Sequence, residues 1–492
     1  MMRILQIAPE CAPVAKAGGL ADVVYGLGRA LRKVGHEVAV VLPHYQKLFD
    51  HLPQRVLGTF EVPLDGELIP CQAVATSVGD LDLVLIGEQT DRGLLRSSSI
   101  YGAPNDLLRF TFFCQAVFYM MESLHWVVDI LHVHDWATAL VPVLAQTSWA
   151  EKGLVTGGCC LTLHNLESQG IAPASLLERL GLDQEMLAHL DRLGDPNRFG
   201  CINLLRGGIV FADALTTVSP TYAREVLQAP GGHGLEDVLQ QYAFKLQGIL
   251  NGLDFDYWNP ATDPLLPIHY SEEEPGEIRA ARHGMKRALQ GRLGLEPSDR
   301  PLFMTVCRLV PQKGVELIRH AIQRVIQKGG QFVLQGSSPI PAIQAQFHAD
   351  KLHRHSCRQI HYHLIPDEGL THWMFAGSDF TLIPSIFEPC GLTQMIGLRY
   401  GTIPIVRETG GLADTVLDLE YGQGPVERRN GFTFKNADEG AIDWSLDRAF
   451  EWYDGRPQQL HEVQLRGMHE DHSWRLPAQH YLHIFGALCL GN

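Results

Sequence analysis

Short apolar runs alternate with helix-patterned stretches from Arg3 onward, pause after Ser219, and begin again at Pro301. The first series holds Arg3–Ala8, Glu37–Pro43, Leu81–Gly87, Asp129–His134, Cys159–His164 and Ala214–Ser219, with helical segments such as Ala21–Gly35 and Phe110–Leu124 between. The second holds Leu302–Leu309, Gln331–Gly336, Gln359–Ile365, Phe380–Pro384 and Ile403–Glu408. Strand–helix alternation makes a parallel sheet covered by helices on both faces. A chain of 492 residues is too long for one core, so the restart predicts two α/β domains of roughly 200–250 residues each. The aromatic, Pro-rich segment Tyr257–Pro264 reads as a linker, with a hinge near residues 255–265. The expected division is 1–258, 259–472 and a terminal helix in 473–492. Trp474, Tyr481, Ile484 and Phe485 recur there at roughly helical spacing, which predicts packing back on the body.

The formal charge of −15 argues against non-specific binding to nucleic acid or anionic membranes, without excluding a local basic cluster around a small anion. Ten cysteines show no disulfide-framework spacing and no CxxC pair, so they read as reduced residues of an intracellular protein. The N-terminus opens directly into a strand, and no apolar run is long enough to span a bilayer. The expectation is a soluble cytoplasmic protein with neither a nucleic-acid nor a membrane partner.

Open α/β sheets bind ligands where strands end and helices begin. Two loops at opposite ends of the chain hold such places: Lys16-Ala17-Gly18-Gly19-Leu20 after the first run, and Glu388–Gln394 after Phe380–Pro384. Together they suggest one site built between two domains. Glycines let backbone amides approach an anion, a helix N-terminus adds a favourable dipole, and Lys16 adds a point charge. The loop has neither Walker spacing nor a dinucleotide fingerprint. Arg308 and Lys313 flank a strand-end loop, where two cations suit a diphosphate. Gly391-Leu392-Thr393-Gln394 would open a helix whose first amides hold phosphate oxygens, and Glu388 would accept sugar hydroxyls. Cys390 reads as packing, and Thr409-Gly410-Gly411 as a second glycine pair closing the same pocket. His134-Asp135-Trp136 and His164-Asn165, each after a strand, supply fixed polar groups and an apolar face for a sugar. His132/His134 and His361/His363 have the two-residue spacing a strand metal site needs but no apparent third ligand. Asp254-Phe255-Asp256 lies in the presumed hinge, away from any strand end. No metal and no cofactor are expected.

These segments, with Pro9–Pro13, Thr217–Tyr222, Gly248–Gly252 and Thr409–Leu412, follow the order found in bacterial glycogen synthases and plant starch synthases. The resemblance spans nearly the whole chain. Gly336-Ser337-Ser338-Pro339, Ile386–Ile396 and Trp258–Pro264 make it most similar to class III/IV starch synthases and related cyanobacterial enzymes. It implies a GT-B fold, two doubly wound Rossmann-like domains with an interdomain cleft, and retaining transfer of glucose from ADP-glucose to an α-1,4-glucan. It implies that Lys16, Gly18 and Gly19 contact the donor phosphates or sugar, that Asp135 and His164 hold the glucose, and that Glu388 meets glucosyl hydroxyls. Arg308 and Lys313 would hold the diphosphate. Asn251, Gly336, Cys390 and Gly391 would line the donor site, with amides of Leu392, Thr393 and Gln394 completing the phosphate cradle. Three positions depart from the family's common pattern: Ala137 and Ser168, which bear on acceptor binding, and Ala21 before Asp22.

The implied barrier is departure of ADP from an oxocarbenium-like sugar, with charge on the diphosphate stabilised by cations and amides rather than a metal. No carboxylate is clearly placed as a covalent nucleophile. The family's usual account is front-face displacement, in which Asp135 and Glu388 orient and stabilise. A UDP-sugar donor stays open, because no residue is identified that reads adenine. A sucrose-type synthase, a phosphorylase and a glucan-binding scaffold are the other readings. The phosphorylase is disfavoured by chain length, and the scaffold by retention of Lys16, Arg308, Lys313 and Glu388 together.

Overall fold

The structure is a computed structural model that describes residues 1–153, 156–182 and 190–490. It divides into two units, Met1–Gly252 with Trp474–Asn492, and Leu253–Ser473. Both are doubly wound.

The first unit contains β1 (Arg3–Ile7), β2 (Glu37–Pro43), β3 (Arg55–Leu64), β4 (Glu67–Val78), β5 (Leu81–Glu88), β6 (Ile130–His134) and β7 (Gly158–Leu163). A two-stranded ribbon of β8 (Ile171–Pro173) and β9 (Cys201–Asn203) follows, then β10 (Ala214–Thr217) and β11 (Leu246–Gly248). The large sheet runs β11-β10-β7-β6-β1-β2-β5-β4-β3. It is parallel from β11 to β5, and β4 pairs antiparallel with both β5 and β3. From β1 the chain builds one way through β2 and β5 and the other way through β6, β7 and β10. Strand order therefore reverses between β1 and β6, which opens a crevice at their carboxyl ends. The β3–β4 hairpin is an addition to the sequence-based expectation. Its turn is Asp65-Gly66, both at positive φ (55° and 77°), as a tight two-residue hairpin requires.

The helix Gly19–Lys33 buries Leu20, Ala21, Val23, Val24, Leu27 and Leu31, the i, i+3, i+4 stripe of a helix lying on a sheet. Gly26 on the same helix makes room for Trp474, whose Nε1 would sit 2.0 Å from a Cβ there. The terminal helix Arg475–Leu490 buries Pro477, Ala478, Tyr481, Ile484 and Phe485, matching the spacing read from sequence. Tyr481 and Phe485 close over the His132 ring at centroid distances of 5.3 and 5.4 Å. Full burial of Phe485 stabilises this docking by about 2–3 kcal/mol.

The second unit is a parallel sheet of β12 (Leu302–Val306), β13 (Gln331–Gln335), β14 (Ile360–His363), β15 (Phe380–Ile383), β16 (Ile403–Arg407) and β17 (Phe432–Phe434). Its order is β14-β13-β12-β15-β16-β17, so the reversal lies between β12 and β15. The helix Val315–Gln327 covers it with Val315, Ile318, Ala321, Ile322 and Val325. The segment read as a linker is packed into this unit. Asp263 is buried and accepts from the Tyr400 hydroxyl and from His372 Nδ1, both at 2.6 Å. Trp258 stacks on His372, with centroids 4.3 Å apart. Among the described residues no helix is long and apolar enough to cross a membrane.

Candidate functional site

The loop leaving β1 is built on a buried carboxylate. Glu10 Oε2 accepts from the amides of Ala17 and Gly18 at 2.7 and 2.8 Å, and Oε1 accepts from the Tyr101 hydroxyl at 3.0 Å. Burial pushes the Glu10 carboxyl above its ordinary value, and these three bonds oppose that rise. The sequence-based expectation gave the glycine-loop amides to a phosphate. Here the Ala17 and Gly18 amides are already used, so Gly18 offers open space rather than a free donor: a Cβ there would meet only Glu10 Oε1, at 3.9 Å. Gly18 takes an extended conformation (φ −153°) and Gly19 begins the helix Gly19–Lys33. Lys16 Nζ lies 2.8 Å from Asp22 Oδ1, and both side chains are partly exposed.

Beside this loop, across the switch point, β6 ends in His134, and Asp135 follows it. Asp135 sits at φ 55°, in the left-handed region that a non-glycine residue adopts at a cost. Its Oδ1 accepts from the amide of His164 at 2.6 Å and that of Asn165 at 3.3 Å, which ties the ends of β6 and β7 together. Burial pushes the Asp135 carboxyl up to about 7; the two amide bonds oppose the shift and the Glu10 charge adds to it. Behind it stands a row of imidazoles. His134 Nδ1 lies 3.1 Å from His164 Nε2, and His134 Nε2 lies 3.3 Å from Gln6 Oε1. His132 Nε2 meets Thr162 Oγ1 at 2.7 Å. Burial pulls His132 and His164 down to about 3 and His134 well below its ordinary value, so all three are neutral rings at neutral pH.

In the second unit the loops after β12 and β15 are stitched to each other. Gln312 accepts from the Ile386 amide at 2.7 Å through its carbonyl and donates its side-chain amide to Phe387 O at 3.2 Å. Lys313 Nζ donates to Glu388 Oε2, which also accepts from Ser385 Oγ at 2.9 Å. Lys313 is placed by Gly314 at φ 69°, where a Cβ would meet Pro384 O at 2.3 Å. Arg308 is exposed; its carbonyl accepts from the Val310 amide at 3.0 Å, and its side chain makes no hydrogen bond or ion pair among the described residues. Gly391 (φ 72°) turns the chain into the helix Thr393–Arg399, capped by Leu392. The buried Gln394 side chain donates to Cys390 O, Gly391 O and Thr415 Oγ1 at 3.1, 2.8 and 3.0 Å. Thr409-Gly410-Gly411 lies against this loop: the Gly411 amide donates to Glu388 O and Pro389 O, both at 3.1 Å. Cys390 is buried among these loops.

The switch points therefore gather Lys16, Gly18, Gly19, Asp135 and His164 in one unit and Arg308, Lys313, Glu388, Cys390, Gly391, Leu392, Thr393 and Gln394 in the other. Two further expected residues follow neighbouring strands of these sheets. Asn251 follows the edge strand β11, buried, with Oδ1 unpartnered among the described residues. Gly336 follows β13, where a Cβ would meet Cys307 O at 2.1 Å, so its smallness serves backbone packing against the β12 loop that carries Arg308. Asp254 Oδ1 accepts from the Asp256 amide at 2.9 Å, capping a turn. Among the described residues no three His, Cys, Asp or Glu are grouped to hold a metal ion. Sequence reasoning did not assign Glu10, Tyr101, Ser385 or Gln312. A carboxylate directly after a strand and before a glycine loop was the available signal for Glu10.

The profile of the starch synthase catalytic domain family matches residues 3–241. Over 485 residues the chain is 41% identical to glycogen synthase 2 of Methylococcus capsulatus, covering 98% of this chain and 99% of that one. Against the probable starch synthase 4 of Arabidopsis thaliana it is 42% identical over 487 residues, 98% of this chain and 46% of the plant protein. The solved catalytic domain of Arabidopsis thaliana starch synthase IV, bound to ADP and acarbose, superposes with a TM-score of 0.94 at 42% identity and 99% coverage of both chains. Sucrose-phosphate synthase of Thermosynechococcus elongatus, at 16% identity and a TM-score of 0.61 with each chain covered completely (100%), shares the fold alone.

Proposed function

The chain belongs to the glycogen and starch synthase family of glycosyltransferases, and from that premise we propose that it moves glucose from ADP-glucose to the non-reducing 4-hydroxyl of an α-1,4-glucan with retention of configuration. The observation that carries this reading is what the two strand-order reversals gather: Arg308, Lys313 and Glu388 in one unit, and Lys16, Asp135 and His164 in the other.

The slow event is rupture of the bond between the sugar's anomeric carbon and the diphosphate. Negative charge grows on the leaving ADP, and Arg308 and Lys313 neutralise it, with amides at the head of the helix Thr393–Arg399 as further donors. Glu388 holds Lys313 in place through their ion pair and offers its carboxylate to sugar hydroxyls. Positive charge grows on the sugar. Asp135 meets it with a carboxylate that burial has left poorly solvated, so the developing cation and the anion stabilise each other more strongly than in water. The neutral His164 binds a hydroxyl without adding charge. We assign no covalent nucleophile, and Asp135 is held by the bonds its Oδ1 accepts from the His164 and Asn165 amides. The acceptor hydroxyl then attacks from the face the diphosphate leaves, and its proton passes to the departing phosphate.

We place the enzyme in the cytoplasm, in keeping with ten cysteines that are all free. The deciding measurement is nucleotide release from ADP-glucose and from UDP-glucose, with and without a glucan primer. Primer-dependent ADP release with growth of the α-1,4 chain is expected. Faster turnover of UDP-glucose overturns the donor, and no release from either sugar nucleotide overturns the enzyme reading.

A further inference from the structure

Gln6 lies in the middle of β1, fully buried, and its side-chain amide has one orientation that works. Nε2 donates to Val24 O at 3.2 Å. Turned over, the amide would set its oxygen against that carbonyl, acceptor facing acceptor. Gln6 Oε1 is thereby fixed toward His134 Nε2, 3.3 Å away, and an oxygen acceptor there requires His134 to carry its proton on Nε2. A neutral imidazole has one N–H, so His134 Nδ1 bears a lone pair. His164 Nε2, at 3.1 Å from it, must then be the donor. Both rings are buried and neutral, which leaves His164 Nδ1 without a proton. It accepts from no group among the described residues. Gly28 on the helix Gly19–Lys33 keeps the space this relay needs, because a Cβ there would lie 2.8 Å from Gln6 Nε2.

We propose that Gln6 and His134 are positioning residues whose hydrogen bonds lock His164 as its Nε2–H tautomer, so that its Nδ1 accepts a hydrogen bond from a sugar hydroxyl. The consequence for transfer rests on the function proposed above; the tautomer itself does not. A buried amide on β1 thus decides whether the site offers this hydroxyl a donor or an acceptor. With the other tautomer, His164 would present N–H and repel a hydroxyl already placed to donate.

The test is the histidine nitrogen spectrum of the full chain labelled with 15N-histidine, with the His164 signals assigned by comparison with His164→Gln. In the wild type His164 is expected as the Nε2–H form. Gln6→Met keeps the side-chain length but removes both polar atoms. It is expected to release His134, to bring His164 into a mixture of tautomers, and to lower kcat/KM for ADP-glucose about tenfold. An Nδ1–H signal for His164 in the wild type overturns the proposal without any variant, as does an unchanged His164 tautomer in folded Gln6→Met. If the wild type transfers no glucose, the proposed function fails while the spectra still decide the relay.

Discussion

Asp135→Asn should make this protein more stable at alkaline pH while disabling it. The asparagine fits the site: it tolerates the left-handed backbone at φ 55°, and its Oδ1 can keep both bonds from the His164 and Asn165 amides. What it loses is the charge. The Asp135 carboxyl titrates near 7 in the folded chain against 3.8 for the ordinary group, because burial penalises its ionised form. Its folded pKa is raised, so well below 3.8 both states are protonated and the group costs nothing. As pH rises to 7 the unfolded chain ionises freely while the folded one resists, and the folded state loses stability until both are ionised. About three units at about 1.36 kcal/mol each set a ceiling near 4 kcal/mol. The residue is only half-buried, so solvent screening brings our expectation to about 2 kcal/mol. For a unit of this size that raises Tm by roughly 4–8 °C. Calorimetry at pH 8 and pH 4.5 reads it: a gain at pH 8 that shrinks to about a quarter at pH 4.5. Turnover should fall about 100-fold, the usual effect of deleting one preorganised electrostatic partner. An Asn variant no more stable than wild type at pH 8, or equally stabilised at both pH values, would refute the argument that Asp135 is held in the site at the expense of stability.

Arg308→Ala and Lys313→Ala should each lower ADP release from ADP-glucose roughly 100-fold or more, and turnover at the wild-type rate removes that residue from the diphosphate site. Gly411→Ala drives a Cβ to 2.1 Å from Cys390 O, so the loop carrying Glu388 must move. Thermal unfolding should register a loss of about 1–3 kcal/mol, and a variant with unchanged Tm and activity contradicts the packing described. Glu10→Ala removes the acceptor of the Ala17 and Gly18 amides and of the Tyr101 hydroxyl, none of them in a fully buried residue, at about 0.5–1.5 kcal/mol for each bond lost, whereas Glu10→Gln retains one acceptor oxygen and should cost less. The reverse order in a urea titration would mean that the loop does not depend on that carboxylate.

Strand–helix alternation made both sheets legible because each strand is a short apolar run bounded by polar turns, and the terminal helix because Trp474, Tyr481, Ile484 and Phe485 share a face. The β3–β4 hairpin escaped the same reading. Its strands are half exposed, with a burial pattern that mixes polar and apolar positions, and Asp65-Gly66 was the one strong signal. At the site, cations and glycines at strand ends could be picked out by chemistry alone. What could not be read was who satisfies whom. The Glu10 carboxylate reaches seven and eight residues along its own loop, Gln6 meets His134 across 128 positions, and Lys313 meets Glu388 across 75. Such pairings depend on strand order, which periodicity does not encode.

The two switch points also differ in electrical character, and the difference follows the reaction. Around β1 and β6 the buried groups are two carboxyls, Glu10 and Asp135, each pushed toward its neutral form by burial, and histidines kept uncharged by it. Lys16 there is offset by Asp22. This surrounding suits a neutral, hydroxyl-rich sugar that becomes positive only as its bond to phosphate breaks. Around β12 and β15 the balance is cationic, since one carboxylate, Glu388, stands against Lys313 while Arg308 has no acidic partner among the described residues. That suits a diphosphate, negative from the start and more so as it leaves. In the reaction proposed above, heterolysis of a sugar–phosphate bond would separate these two charges, and each set of side chains suits one of the two fragments. On this argument, exchanging the characters should harm turnover more than ground-state binding: Asp135→Asn and Lys313→Ala should lower kcat by a larger factor than they raise KM for ADP-glucose. Loss confined to KM would mean that both residues serve binding alone.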